Sequence, residues 1–326
     1  DFTVGKDGAL YFTIGGRGAQ SELFRVTYVG QEETTPVDTK NQSGSEERTL
    51  RRELEAFHTA LGDNDKKAAV ATSLKHLNSS DRFIGYAARV ALERLPLDSW
   101  QESILQAGPP AYPAQHIIRG CVALARQGEP ALLPKILKSL EIVSKNYNLL
   151  PEEQQLDLLR AYQLAFVRLG NPDKEACDAL ASKFDGLFPQ KSELVNRELA
   201  VLMIHFQSPG TAKKLVPVLT RERVASEGEL GDLLSRNQGY GGTIAAMLAN
   251  QPDQQQYHYA FHLRNLKTGW TIEERKTYFN WFNKARTWSG GASYPKFLTN
   301  IDNEAFANST DAERLAVEAS GVRKPY

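Results

Sequence analysis

From about residue 46 onward, apolar residues recur every three or four positions, whereas the first thirty residues alternate as strands do. The opening DFTVGKDGALYFTIGGRGAQSELFRVTYVG reads as a meander. Phe2 to Val4 and Ala9 to Ile14 are short strand runs separated by Lys6-Asp7-Gly8, a turn with glycine where positive φ is wanted. Gly15-Gly16-Arg17-Gly18 turns the chain again. A third strand is expected over Leu23 to Val29, with Leu23, Arg25 and Thr27 on one face and Phe24, Val26 and Tyr28 on the other. Three short strands bury too little to stand alone, so the meander needs a sheet or a helical face to lean on.

The polar, turn-rich run over residues 31–45 reads as a linker. Beyond it, Leu50, Leu54, Phe57 and Leu61 form one helical stripe, and Val70, Leu74 and Leu77 the next. Ser80 or Asp81 caps a helix carrying Ile84, Ala88, Ala91 and Leu95, and Asp98 opens a short one with Gln101 as capping-box partner. Comparable stripes follow through Ile117–Ala125, Leu133–Leu140, Leu156–Leu169, Cys177–Leu187, Leu194–Ile204 and Ala212–Leu219. Helices joined by short loops, with no strands between, argue antiparallel helix pairs rather than βαβ units. Pairs recurring at about 30 to 40 residues match HEAT-like and armadillo-like repeats. A closed bundle satisfies the same pattern. The expected architecture is mainly all-α, a HEAT-like α-α superhelix over residues 46–326 preceded by a short β-meander, a partial propeller blade, over residues 1–30.

Composition narrows function by exclusion. Lys plus Arg and Asp plus Glu are both 39 in 326 residues, so no net field attracts nucleic acid or acidic lipid. No run approaches the ~18 consecutive apolar residues of a membrane span. Cys121 and Cys177 each fall on a helical stripe without CxxC spacing and read as buried thiols, a disulfide between them remaining open.

Three stretches could carry chemistry. His258 and His262 share one helix face and are the candidate metal ligands. A third ligand is lacking, and Tyr259 stands where a zinc protease needs Glu, so a packed histidine pair is the simpler reading. The aromatic-basic run HLRNLKTGWTIEERKTYFNWFNKARTW offers Arg264, Trp270, Arg275 and Trp288 as an interaction surface. Within it Thr271 and Glu274 form a capping box, and Tyr278, Trp281, Phe282 and Ala285 then fall on one inward face. Ser289-Gly290-Gly291-Ala292-Ser293 lacks the Walker lysine and reads as a turn. No catalytic or cofactor-binding constellation emerges. The rival functions are an enzyme with its site in the aromatic region 257–297, or a helical-repeat nucleic-acid binder.

Both ends of the chain carry a resemblance. VGKDGALYFTIGGRGAQSELFRVTY resembles the closing propeller blade of the large haem-binding, membrane-bound-dehydrogenase-like proteins of planctomycete and verrucomicrobial type. QYHYAFHLRNLKTGWTIEERKTYFNWFNKA, followed by SGGASYPKFLTNI, resembles the end of their helical region. The middle helices carry little specific signal. The resemblance implies the order propeller, HEAT-like region, c-type cytochrome, in a sugar- or alcohol-dehydrogenase-like oxidoreductase located in the periplasm or otherwise outside the cytoplasm. It implies haem c in a downstream domain, and as partners the parent's own propeller and cytochrome domains and a redox protein. This chain has only the last strands of a propeller and no CxxCH, so neither the propeller site nor the haem site transfers to any residue here. The meander is then expected to be a blade remnant of a longer polypeptide, and the helical region a non-catalytic spacer and docking scaffold.

Overall fold

A computed structural model describes residues 2–16, 19–33, 43–59, 61–109, 111–222, 250–289 and 291–324. Contacts divide the chain into two compact units, Asp1–Glu46 and Glu47–Tyr326, each taken by itself below.

In the first unit, β1 (Phe2–Val4), β2 (Leu10–Gly16) and β3 (Ala19–Val26) form an antiparallel sheet in the order β1-β2-β3. Gly8 takes φ +76° in the first turn, a conformation that costs glycine nothing. Val4 pairs with Leu10 and Leu10 with Val26, while Phe2 pairs with Phe12 and Phe12 with Phe24. Alternation therefore gathers Phe2, Val4, Leu10, Phe12, Phe24 and Val26 on one face, with Phe12 and Phe24 stacked at 5.1 Å. On the other face Arg25 donates to Asp7, whose carboxyl is held below its usual range by its bonds to Tyr11 and Arg25. The third strand ends at Val26 rather than Val29, because β2 offers no partner beyond Leu10; the Tyr28 hydroxyl instead accepts from the Glu32 amide at 3.0 Å. Arg17 and Gly18 of the expected turn, and residues 34–42 of the expected linker, lie outside the described residues.

The second unit holds the helices, fourteen among the described residues. They are α1 (Ser45–Ala56, which begins just before the division), α2 (Asp63–His76), α3 (Arg82–Arg94), α4 (Gln101–Leu105), α5 (Ala114–Gln127), α6 (Leu133–Ser144) and α7 (Glu152–Leu169). Then follow α8 (Lys174–Leu187), α9 (Glu193–His205), α10 (Thr211–Leu219), α11 (Gln254–Leu263), α12 (Ile272–Ala285), α13 (Tyr294–Ala307) and α14 (Asp311–Ser320). Short polar side chains start many of them: Asp81, Asp173, Ser192, Asp253, Thr271 and Thr310 each accept an amide proton from the first turn of α3, α8, α9, α11, α12 and α14. Asp98 does not open α4. Leu97–Ser99 is a 3-10 turn, α4 begins at Gln101, and the Gln101 amide donates to the Asp98 carboxylate at 2.8 Å, a side-chain pair rather than a capping box.

Alternate helices lie side by side. In one layer α3 rests on α5, α5 on α7, α7 on α9, α9 on α11 and α11 on α13. In the other, α2 backs α3, α6 backs α5 and α7, α8 backs α9, α10 backs α9 and α11, and α12 packs between α10 and α14. This two-layered, solenoid-like stack buries each helix against near neighbours in sequence. One apolar core runs from α2 to α9 around Trp100, Ile117, Leu124, Leu140, Leu158, Tyr162 and Phe184. A second runs from α9 to α14 around Leu215, Tyr259, Tyr278, Phe282, Leu298 and Val317. Helix α9 serves both, turning Leu199 and Met203 to the first and Ala200 and Ile204 to the second. No helix among the described residues is long and apolar enough to cross a membrane.

Candidate interaction surface

Helix α12 begins where its sequence indicates. The Thr271 hydroxyl accepts from the Glu274 amide at 3.2 Å, and the Glu274 carboxylate accepts from the Thr271 amide at 2.8 Å. Tyr278, Trp281, Phe282 and Ala285 are all buried. The Tyr278 hydroxyl donates to the Ala260 carbonyl at 2.8 Å and the Trp281 indole to Gln256 Oε1 at 3.1 Å, so both rings are core residues with their polar ends satisfied.

The four residues expected to form a surface fare differently. Arg275 is not on the surface: its side chain is 0% exposed, stacked on Trp270 at 4.0 Å and ion-paired with Glu313. A basic residue next to an aromatic stripe reads as peripheral from local sequence, but α14 returns to cover this one. Trp270 is half-buried and its indole donates to the Leu266 carbonyl at 2.9 Å. Trp288 is half-buried edge-on to Trp281 at 5.8 Å. Arg264 covers the Phe261 ring at 3.7 Å and pairs with Glu304 at 2.5 Å.

The histidine pair is brought together as its spacing requires. The His258 and His262 rings lie 4.5 Å apart, and His258 Nε2 is 3.2 Å from the Arg197 carbonyl oxygen. Burial lowers the pKa of both, that of His262 to about 4, with the neighbouring His258 adding to the shift. Among the described residues no group of three His, Cys, Asp or Glu is placed to hold a metal ion. Cys121 is buried and its thiol pushed up by desolvation; Cys177 is half-buried and also raised; both are free. Gly290 of the glycine turn lies outside the described residues. On either side, the Ser289 amide donates to the Asn250 carbonyl at 2.6 Å, and α13 begins at Tyr294.

Five helices of one layer, α3, α5, α7, α9 and α11, are tied edge to edge by polar contacts, and α13 joins α11 through ring contacts. Buried Glu93 on α3 accepts from Arg89 and, at 2.8 Å, from Arg126 on α5. Arg168 on α7 donates to the Arg126 carbonyl at 3.3 Å, and Gln115 on α5 to Asp157 on α7 at 2.6 Å. Gln163 on α7 donates to Glu198 on α9, and Arg197 on α9 to Gln255 on α11, each at 2.6 Å. Tyr257 and Phe261 on α11 meet Phe297 on α13 at 6.2 and 5.8 Å. Exposed apolar side chains accompany this ladder: Phe83 and Tyr86 on α3, Val167 on α7, Leu194 on α9 and Phe297 on α13. Leu194, read from sequence as the start of an apolar stripe, is instead exposed, and the other four were not singled out. The signal was present in RFIGYAAR, where two large rings fall off the apolar stripe of Ile84, Ala88 and Ala91, each with arginine close by.

A polar cleft of about 450 Å³ is lined by Glu193, Arg197, Arg221, Glu222, Gln255 and Gln256; residues 223–249 lie outside the described set. The sequence matches no protein-family model and no curated protein.

Proposed function

We propose that the helical unit is a non-catalytic spacer and docking scaffold of a multidomain, dehydrogenase-like electron-transfer protein working outside the cytoplasm. In this reading haem c sits on a cytochrome domain of the parent, and any sugar- or alcohol-dehydrogenase-like chemistry on its propeller. The resemblance at both ends of the chain supports the setting. The observation that carries the docking role is the side-to-side ladder from Glu93 through Arg126, Gln163 and Arg197 to Gln255. A layer held by its own lateral bonds presents a preorganised face, and preorganisation lowers the ordering cost that any partner must meet. The aromatic stripe of α12 is occupied by core packing, with the Tyr278 hydroxyl and the Trp281 indole satisfied within the protein.

The test is a titration of the chain with an isolated c-type cytochrome domain from a protein of that type, followed by calorimetry. Saturable binding, weakened by Val167→Asp on the exposed edge of α7, is the expected result; Val167 is 80% exposed, so this change leaves the fold intact. Absence of binding, or binding indifferent to substitutions across the layer, rejects the reading.

A further inference from the structure

Past α14 the chain leaves the helix at Gly321, whose φ of +64° closes the last turn in the left-handed region, and residues 322–324 then run back onto α12 and α13. Side chain and backbone are both gripped there. Val322 packs on the second apolar core, and its carbonyl accepts from Asn283 Nδ2 at 2.8 Å. The Lys324 carbonyl accepts from Arg286 Nη2, at the end of α12, at 2.9 Å. Between these two, Arg323 reaches α13: its Nε donates to Asp302 Oδ1 at 2.9 Å and its Nη2 to Asn303 Oδ1 at 2.8 Å, while the guanidinium lies 4.0 Å from the Phe306 ring centroid.

Asp302 sets the chemistry of this place. It is 1% exposed, and a carboxylate so buried is costly unless a cation reaches it. Among the described residues, the cationic nitrogen nearest to it comes from Arg323, on a short segment outside the helices. Its buried Oδ2 accepts no hydrogen bond among the described residues and faces Arg286 Nη2 at 3.8 Å. We propose that Asp302, Asn303 and Phe306, with Asn283 and Arg286 beside them, form an arginine-reading peptide site, filled in cis by residues 322–324 and open to another arginine-bearing segment in their place. Each part matches a feature of the guanidinium: a carboxylate for its charge, an amide oxygen for the second arm of its fork, and a ring for its flat face. Asn283 and Arg286 hold main-chain carbonyls, which any sequence supplies. A lysine meets the charge and neither the fork nor the ring geometry. Exchange is open to this site for two reasons. Arg323 keeps 23% of its side chain exposed, so it can leave without opening the core. Arg286 then remains beside Asp302 as countercharge, so the vacated site does not hold an isolated buried anion.

The site does not depend on the cytochrome partner proposed above. Its test uses the full chain carrying Arg323→Ala, which vacates the arginine position in cis, and a peptide of the chain's own residues 320–326, SGVRKPY, titrated to millimolar concentration by calorimetry. Saturable binding is expected, with affinity about tenfold or more lower for peptides carrying Lys or Glu in place of the arginine. The unsubstituted chain should bind SGVRKPY about tenfold or more weakly as well, because its own tethered segment competes at high effective concentration. Asp302→Asn added to Arg323→Ala should weaken binding to the level of the Glu peptide. Circular dichroism melts report whether that double variant folds, and the peptide series on Arg323→Ala decides the question without it. Absence of binding by SGVRKPY, or equal binding of the arginine and lysine peptides, overturns the proposal. Equal affinity of the unsubstituted chain and Arg323→Ala also overturns it, since the peptide would then be bound elsewhere.

Discussion

Arg275 Nε lies 3.2 Å from Glu313 Oε2, joining the first turn of α12 to the first turn of α14 with a guanidinium that is 0% exposed. The same group stacks on Trp270 and donates from Nη2 to the Leu266 carbonyl at 3.3 Å, so one buried cation fastens three segments of the C-terminal third. Burial lowers its pKa and Glu313 opposes that shift.

Glu313→Gln keeps the capping-box geometry with Thr310 but removes the countercharge. Leaving a buried ion unpaired costs about 3 to 5 kcal/mol, whereas replacing both partners by neutral groups is often close to neutral. Urea denaturation is expected to show a large loss in the single variant and substantial recovery in Arg275→Met combined with Glu313→Gln. Equal stability of the single variant and the parent would show the pair to be dispensable.

Trp281 belongs to the core. Trp281→Ala is expected to cost about 3 to 5 kcal/mol, the range for deleting a buried large aromatic, while Lys276→Ala on the outer face stays within about 0.5 kcal/mol. Near-equal unfolding midpoints would move the aromatic stripe of α12 back to a binding role.

His262 makes stability depend on pH. Its folded pKa of about 4 lies below the ordinary 6.5, so the unfolded chain takes up a proton first as pH falls. Stability is fully present above pH 6.5 and declines toward pH 4, by about 3 kcal/mol for a shift of this size. His258 shifts in the same direction and adds to the decline. Denaturation curves recorded across this window should flatten in His262→Gln; an unchanged slope would place the acid sensitivity elsewhere.

Gly269 adopts φ +77°, and a Cβ there would lie 2.7 Å from the Pro209 carbonyl oxygen. Gly269→Ala should therefore lose more than the roughly 1 to 2 kcal/mol of a left-handed backbone by itself. A thermal midpoint matching the parent would contradict this.

Removing residues 1–30 is expected to leave the helical unit folded. A stack of helix pairs draws its burial from neighbouring pairs. Loss of cooperative unfolding in the truncated chain would instead make the meander part of the helical core.

What the sequence determined by itself was local. The capping box of Thr271 and Glu274, the inward set Tyr278, Trp281, Phe282 and Ala285, and the facing pair His258 and His262 all follow from spacings of three and four, since a helix sets those neighbours without outside help. The meander of β1 and β2 was legible for the same reason, through alternation and turn chemistry. Distance along the chain decided the rest. Arg275 reads as a surface cation until Glu313, thirty-eight positions away, returns on α14 to bury it. The Glu93–Arg126 contact spans thirty-three positions and Arg197–Gln255 fifty-eight, so the ladder that links five helices exists only once the layers have stacked. Burial and electrostatic pairing depend on which helices become neighbours, and helical periodicity carries no information about that choice.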